Sequence, residues 1–227
     1  LMNCTGYYRY DQGYMPDFPG IDDFKGDVIH PQLWDEDYDY TGKRVLIIGS
    51  GATAVTLVPA MAEKAAGVTM LQRSPTYMAA RPSVDKFANF LNKILPDRIA
   101  YSLVRARNVL MGMFFYWLAQ TRPEMVKRMV AKGLRQELGE DFQLDPHFTP
   151  SYKPWDQRFC LAPDGDFFKS LKDGSARIVT DQIETFTETG IRLKSGEHLT
   201  ADLVIPATGL QMLLAGGAQF SVDGEVY

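Results

Sequence analysis

Gly49-Ser50-Gly51-Ala52-Thr53-Ala54 reads GxGxxA, the spacing with which a backbone turn can cradle a pyrophosphate. Gly49 permits a tight turn, Gly51 lets the main chain approach phosphate oxygens, and Ala54 allows a helix to pack closely on a strand. The helix beyond would offer unpaired N–H groups and the positive end of its dipole. The competing reading is a packing turn that holds no ligand. The type of nucleotide is decided at the end of the next strand, where Gln72-Arg73-Ser74 stands. An NAD site needs a carboxylate there for the ribose 2′-hydroxyl. No acid is present, and a guanidinium beside a hydroxyl suits a 2′-phosphate. Gly49 to Ala54 with Gln72, Arg73 and Ser74 therefore predict an NADPH site; otherwise Arg73 is a solvated surface charge.

The elements needed to position these residues can be read around them. Lys43 to Ile48 is a β-branched run flanked by charge, the profile of a buried parallel strand. Ala52 to Ala66 reads as a helix and Val68 to Gln72 as a second strand, which completes a βαβ unit. Residues 7–42 are aromatic, acidic and punctuated by Pro and Gly, an extended connector. Phe87, Phe90, Leu91 and Ile94 follow helical spacing behind Ser83 as a cap. Thr121 and Glu124 fit a capping box with Pro123 near the first turn, and Gly139 is a stop. Residues 83–138 thus form a mainly helical insertion. Four prolines between Pro146 and Gly165 mark a long ordered loop. Strands are expected at 176–180, 183–188, 190–194 and 200–205, the third and fourth joined at Ser195-Gly196. The fold class is α/β: a Rossmann-like NADPH-binding domain with a helical insertion and a small β layer.

Bulk properties exclude several functions. A net charge of −4 leaves no basic face for general nucleic-acid binding unless charge is strongly segregated. Cys4 and Cys160 form no CxxC, so neither a zinc site nor a dithiol centre is expected, and a reducing cytoplasm is the natural setting. No metal site is expected. The longest apolar run, Val109 to Ala119, is about half the ~20 residues of a membrane span. It could line a substrate tunnel or touch a membrane surface, but a buried core helix is the weightier expectation. His30 is one of three histidines and has no carboxylate–histidine cluster beside it, which argues against a direct acid or base role.

Phe24, Gly26, His30, Trp34 and Asp35 fit FxGxxxHxxxW[PD] at every fixed position. This stretch resembles the fingerprint of type I Baeyer–Villiger monooxygenases, FAD- and NADPH-dependent flavoproteins. Trp34 and Asp35 favour that branch over the sister flavin-containing monooxygenases; a polar loop whose tryptophan plugs a groove is the competing reading. The resemblance covers nearly the whole chain and looks nearest to the ethionamide-activating subgroup of actinobacteria. Ala207-Thr208-Gly209 resembles the crossover returning from the NADPH domain to the FAD domain, and Cys4-Thr5-Gly6 the outgoing one. The resemblance then implies an FAD-domain end at 1–6, an NADPH domain over 7–206 and a return at 207–227. Thr208 and Gly209 would border the cofactor. No second GxGxxG exists, so the FAD domain is mostly absent and the chain reads as a fragment.

Lys153-Pro154-Trp155-Asp156-Gln157-Arg158 resembles the loop carrying the family's catalytic arginine, a role carried over to Arg158 alone. A fixed guanidinium there would stabilise the oxyanion formed when oxygen adds to a carbonyl. The position before it, often basic in the family, is Gln157, which weakens a second contact to NADPH. The implied activity of the full-length parent is insertion of one atom of O2 beside a ketone, giving an ester or lactone. Oxygenation of a sulfide or thioamide is an additional expectation. A flavin-containing N/S-monooxygenase and a non-catalytic NADPH-binding module are the alternatives; the fragment itself is expected to bind NADPH and catalyse nothing.

Overall fold

Alternate residues of the run Val45-Leu46-Ile47-Ile48 are buried on opposite faces, and a computed structural model shows what each face meets. It describes Cys4 and residues 6–226. In chain order the strands are β1 (Tyr8–Gly13), β2 (Asp27–Val28), β3 (Arg44–Ile48), β4 (Gly67–Gln72), β5 (Tyr77–Arg81), β6 (Phe159–Pro163), β7 (Ala176–Thr180), β8 (Ile183–Thr187), β9 (Gly190–Leu193), β10 (His198–Thr200), β11 (Leu203–Pro206), β12 (Leu210–Met212), β13 (Ser221–Val222) and β14 (Glu225–Val226). The helices are α1 (Ala52–Ala62), α2 (Lys86–Ile94), α3 (Asp97–Thr121), α4 (Pro123–Leu138) and α5 (Asp166–Lys172).

A parallel five-stranded sheet in the order β2-β11-β3-β4-β7 forms the centre. Val45, Ile47, Val68, Met70, Leu203 and Ile205 face one core, with Val55, Val58 and Met61 of α1 and Phe167 and Phe168 of α5. Leu46, Ile48, Leu71 and Val204 face the other, with Phe186, Ile191, Leu193 and Leu199 of the antiparallel sheet β10-β9-β8. A period of two with both sides apolar is what a strand covered on both faces requires. Each large side chain so buried contributes about 1.5–3 kcal/mol. The expected α/β class, parallel βαβ unit and small β layer are all present.

Several local expectations are corrected. The strand expected at 200–205 is two elements, because the chain leaves β10 for β11 at Ala201-Asp202. There the Asp202 carboxylate accepts from the Arg44 amide at 2.8 Å and from its guanidinium at 2.6 and 2.9 Å. The loop 146–165 contains β6, which pairs in parallel with β5. Ser83 does not cap α2: its hydroxyl donates to Asp164 at 2.6 Å, and Asp85 caps the helix instead, accepting from Phe87 and Ala88 amides. Thr121 makes no capping box either, since its hydroxyl donates back to the Trp117 carbonyl within α3. Gly139 ends α4 at φ 102°, as expected.

The largest correction concerns 109–119. The stretch is helical, within α3, but only Leu118 and Ala119 are buried; Leu110, Phe114 and Trp117 are 64%, 55% and 56% exposed. A core helix would have to bury those side chains.

The Arg44–Asp202 contact sets an acid limit. Hydrogen bonds and charge from Arg44 hold the Asp202 carboxyl down to about 2, against roughly 3.9 in an unfolded chain. A depressed folded value contributes stability above the unfolded value and loses it as pH falls through the folded one. Asp202→Asn should therefore flatten the loss of stability between about pH 4 and pH 2, as measured by urea unfolding across that range. An unchanged slope would remove Asp202 from the acid response.

Candidate functional site

At the carboxyl end of β3 the chain turns through Gly49 at φ 143°, and the Gly49 amide donates to the Leu71 carbonyl at 2.8 Å. A Cβ there would stand 2.6 Å from the Ala207 carbonyl oxygen, so only glycine lets this turn seat on the segment leaving β11. Ser50 is buried and its hydroxyl donates to the Ser74 carbonyl at 3.2 Å, which ties the turn to the end of β4. Gly51 is the N-cap of α1 and no side chain caps the helix, leaving its first-turn amides open. Ala52 and Thr53 are exposed at that end, while Ala54 is fully buried against the sheet.

The end of β4 divides its three residues. Gln72 is fully buried; its amide nitrogen donates to the His147 carbonyl and the Thr180 hydroxyl, both at 2.8 Å. Its side chain therefore braces the 147 loop against β7 and does not reach solvent. His147 Nδ1 lies 2.8 Å from the same Thr180 hydroxyl, and burial lowers the imidazole's pKa. Arg73 and Ser74 point outward, and the Arg73 guanidinium has no ion-pair or hydrogen-bond partner among the described residues. Such a cation at a strand end is free to take an anion.

Arg158 reaches the glycine turn from a different part of the chain. Its Nη1 lies 3.7 Å from where a Cβ on Gly51 would stand, an ordinary contact distance. The guanidinium is exposed and unpaired among the described residues. The loop beneath it is fixed by rings: Trp155 stacks on Phe159 at 5.5 Å, Phe159 on Tyr77 at 6.0 Å, and Tyr152 meets Tyr77 edge-on at 5.3 Å. Tyr77 donates to the Tyr152 carbonyl at 2.7 Å and Tyr152 to the Arg158 carbonyl at 3.1 Å. Trp155 adopts φ 71°, a left-handed conformation costly for a bulky residue and tolerated inside this stack. The sequence gives no sign of this aromatic stack, whose members are scattered along the chain.

The fingerprint residues lie apart from this mouth and connect it to the frame. Phe24 is buried edge-on to Phe186, and a Cβ on Gly26 would meet the Asp202 carbonyl at 2.5 Å. His30 Nδ1 accepts from the Gln32 amide at 3.2 Å, so Nε2 carries the proton that is donated to the Gly209 carbonyl at 3.1 Å. The ring lies over Gly13, whose absent Cβ would fall 1.9 Å from Cε1. Trp34 packs edge-on against Tyr38 and Tyr40, and the Asp35 carboxylate accepts from the Asp37 amide. Tyr38 and Lys43 both donate to Asp27, which lowers that carboxyl's pKa.

Thr208 donates to the Tyr14 carbonyl at 2.5 Å and Tyr14 to the Gly209 carbonyl at 3.0 Å. β1 and β12 then run antiparallel, so the chain after Gly6 is paired with the chain after Gly209. Of the outgoing crossover, Thr5 lies outside the described residues, as do residues 1–3 of the segment expected at 1–6 and Tyr227 of the return. Among the described residues no cluster of three or more His, Cys, Asp and Glu could hold a metal.

A family model described as flavin-binding monooxygenase-like matches residues 1–147. The chain belongs to that family. It is 56% identical to a probable FAD-binding monooxygenase, AlmA, of Acinetobacter sp, over 99% of this chain and 45% of that protein. It is 52% identical to the FAD-containing monooxygenase EthA of Mycolicibacterium smegmatis, over 99% and 46%. The chain thus spans under half the length of these relatives. A structure of oxidised steroid monooxygenase bound to NADP shares the fold, with TM-score 0.66 and 21% identity over 88% of this chain and 45% of that one. A cyclohexanone monooxygenase structure bound to ε-caprolactone does so with TM-score 0.68 and 18% identity, over 93% and 48%.

The seating of His30 on Gly13 makes a coupled pair. Gly13→Ala should cost about 1–3 kcal/mol, because the new methyl overlaps the ring. In a His30→Ala background the methyl has room, so the two penalties should fail to add by about 1 kcal/mol or more. Urea unfolding of the four proteins gives the coupling; strict additivity would show that the two residues do not meet.

Proposed function

We propose that this chain is the NADPH-binding part of an FAD-dependent monooxygenase that inserts oxygen beside a ketone carbonyl. The observation that carries the reading is the position of Arg158, whose guanidinium stands over the GxGxxA turn. In this reading residues 7–206 form the NADPH domain, with 1–6 and 207–227 belonging to the FAD side. The open amides of α1 and the missing Cβ at Gly51 hold the pyrophosphate. Arg73, with the Ser74 hydroxyl, grips the 2′-phosphate; Gln72 acts from behind by fixing the strand end. Two free thiols suit a reducing compartment such as the cytoplasm.

FAD, when bound, supplies the redox chemistry of oxygen transfer from O2. The chain's own contribution is electrostatic. Arg158 is permanently charged and its loop is held rigid, so it can meet negative charge on a substrate's carbonyl oxygen without reorganising. Its place over Gly51 also puts it within reach of the bound dinucleotide. A sulfide or thioamide, which develops no oxyanion, would use the same pocket with less dependence on Arg158.

Two measurements test the assignments. Titrated by calorimetry, NADPH should bind at least about tenfold more tightly than NADH, since charged hydrogen bonds contribute about 1.5–3 kcal/mol. Arg73→Ala should erase most of that difference; equal affinity of the unaltered chain for both nucleotides would sink the site. In the full-length, FAD-loaded parent, Arg158→Ala should cut ester formed per NADPH consumed by about 100-fold, the loss expected for one oxyanion donor. NADPH should still bind this variant, and hydrogen peroxide should accumulate instead. Near wild-type ester yield would leave the Arg158 loop as scaffold.

A further inference from the structure

Gln72 ends β4 with an unbalanced amide. The side chain is fully buried and its nitrogen donates twice, yet its Oε1 has no partner among the described residues. An enclosed acceptor left unsatisfied is costly. The amide therefore keeps this orientation only while both donor contacts hold, one to the His147 carbonyl and one to the Thr180 hydroxyl, each at 2.8 Å.

Thr180 is the pivot. Its oxygen accepts from Gln72, and His147 Nδ1, at 2.8 Å, is the acceptor within reach of its hydroxyl hydrogen. The hydroxyl can donate there only if Nδ1 is bare, which puts the imidazole proton on Nε2 and leaves the ring neutral. Burial favours that neutral form and lowers the imidazole's pKa; the charge of Asp145, on the same loop, acts against it. The packed elements carry other charges. Arg73 follows Gln72, Asp181 follows Thr180, and α5, whose Phe168 meets Phe148, bears Asp166, Lys169 and Lys172. Arg73 is exposed, and the Asp181 carboxylate accepts from the Gln182 and Ser195 amides. A proton on Nδ1 would turn the acceptor into a donor. The Thr180 hydrogen would then lose its acceptor, and the arrangement around its oxygen would have to change.

We infer that His147 is a proton-sensitive positioning residue for the end of β4: its neutral ring closes the His147–Thr180–Gln72 chain that holds Arg73 and Ser74 for a ribose 2′-phosphate, and protonation opens that chain. The inference rests on the NADPH reading proposed above and deepens it with a residue that acts through Gln72. Gln72 directly precedes Arg73, and the Ser74 carbonyl accepts from Ser50 in the glycine turn, so a slackened strand end reaches both parts of the site. A histidine whose folded pKa is lowered favours the folded arrangement above its unfolded value and weakens it as the pH falls through the two. The grip should thus be firm at about pH 8 and loosen below about pH 6.5.

Calorimetric titration with NADP+ and NAD+ between about pH 8 and about pH 5.5 tests this. On acidification the preference for NADP+ should fall about fivefold further in the unaltered protein than in His147→Asn. The Asn Oδ1 can accept from Thr180 but takes up no proton in this range, and the titration of the 2′-phosphate itself is common to both proteins. At the higher pH His147→Asn should keep the preference to within about twofold, whereas Thr180→Val should lose about fivefold at either pH with unchanged circular dichroism. Without any nucleotide, the His147 ring resonance, identified by its loss in His147→Asn, should titrate below the ordinary histidine value and move up in Thr180→Val. Parallel pH profiles for the unaltered protein and His147→Asn, in a chain that does prefer NADP+, overturn this inference alone. A preference that grows on acidification and is lost in His147→Asn also overturns it, in favour of direct contact between imidazolium and phosphate. Equal binding of NADP+ and NAD+ at the higher pH removes the nucleotide site, and the role of His147 with it.

Discussion

Everything around the glycine turn depends on one close approach, that of Gly49 to the Ala207 carbonyl. At φ 143° and with no room for a Cβ, Gly49 lets the first turn of the βαβ unit rest on the segment leaving β11. That segment is held in turn by Tyr14 and His30, which both donate to the Gly209 carbonyl. The turn that opens α1 is thereby joined to β1 and β12, where the chain enters and leaves this unit. A fingerprint with no residue at the mouth of the site still decides its shape, since His30 can lie flat only because position 13 lacks a side chain. Movement of β1 against the sheet would pass to the glycine turn through a handful of hydrogen bonds.

The readable parts of the sequence were those where local composition and tertiary burial demand the same thing. β3 is a short β-branched run buried on both faces, and α1 begins at a glycine turn that fixes its phase. Legibility failed where a side chain had a better partner far away. Ser83 looks like a cap, but the Asp164 carboxylate offers its hydroxyl a charge-assisted bond and Asp85 takes over the helix. β5 and β6 are parallel and distant in sequence, so neither carries a turn signal for the other. The apolar run in α3 was mistaken for core because composition reports a preference for leaving water, not the identity of what provides the cover.

The candidate site divides in the same way. The turn at Gly49, the helix start at Gly51 and the close packing of Ala54 are legible because they follow from backbone geometry. Gln72 shares the buried parity of Met70, whereas Arg73 is exposed because β4, covered on both faces, ends at Gln72. The proximity of Arg158 to Gly51 had no local signal, since it depends on a loop whose path is set by rings at positions 77, 152, 155 and 159.

That stack bears directly on what Arg158 can do. An unpaired arginine on a free loop would sample many positions, and ordering it around a transient oxyanion would cost side-chain and backbone entropy at each turnover. Here the backbone of the loop is held before any ligand arrives: Trp155 stacks on Phe159 at a left-handed φ, and the Arg158 carbonyl accepts from Tyr152. Among the described residues no carboxylate pairs with the guanidinium. A braced backbone beneath an unpaired cation is what the role proposed for Arg158 requires.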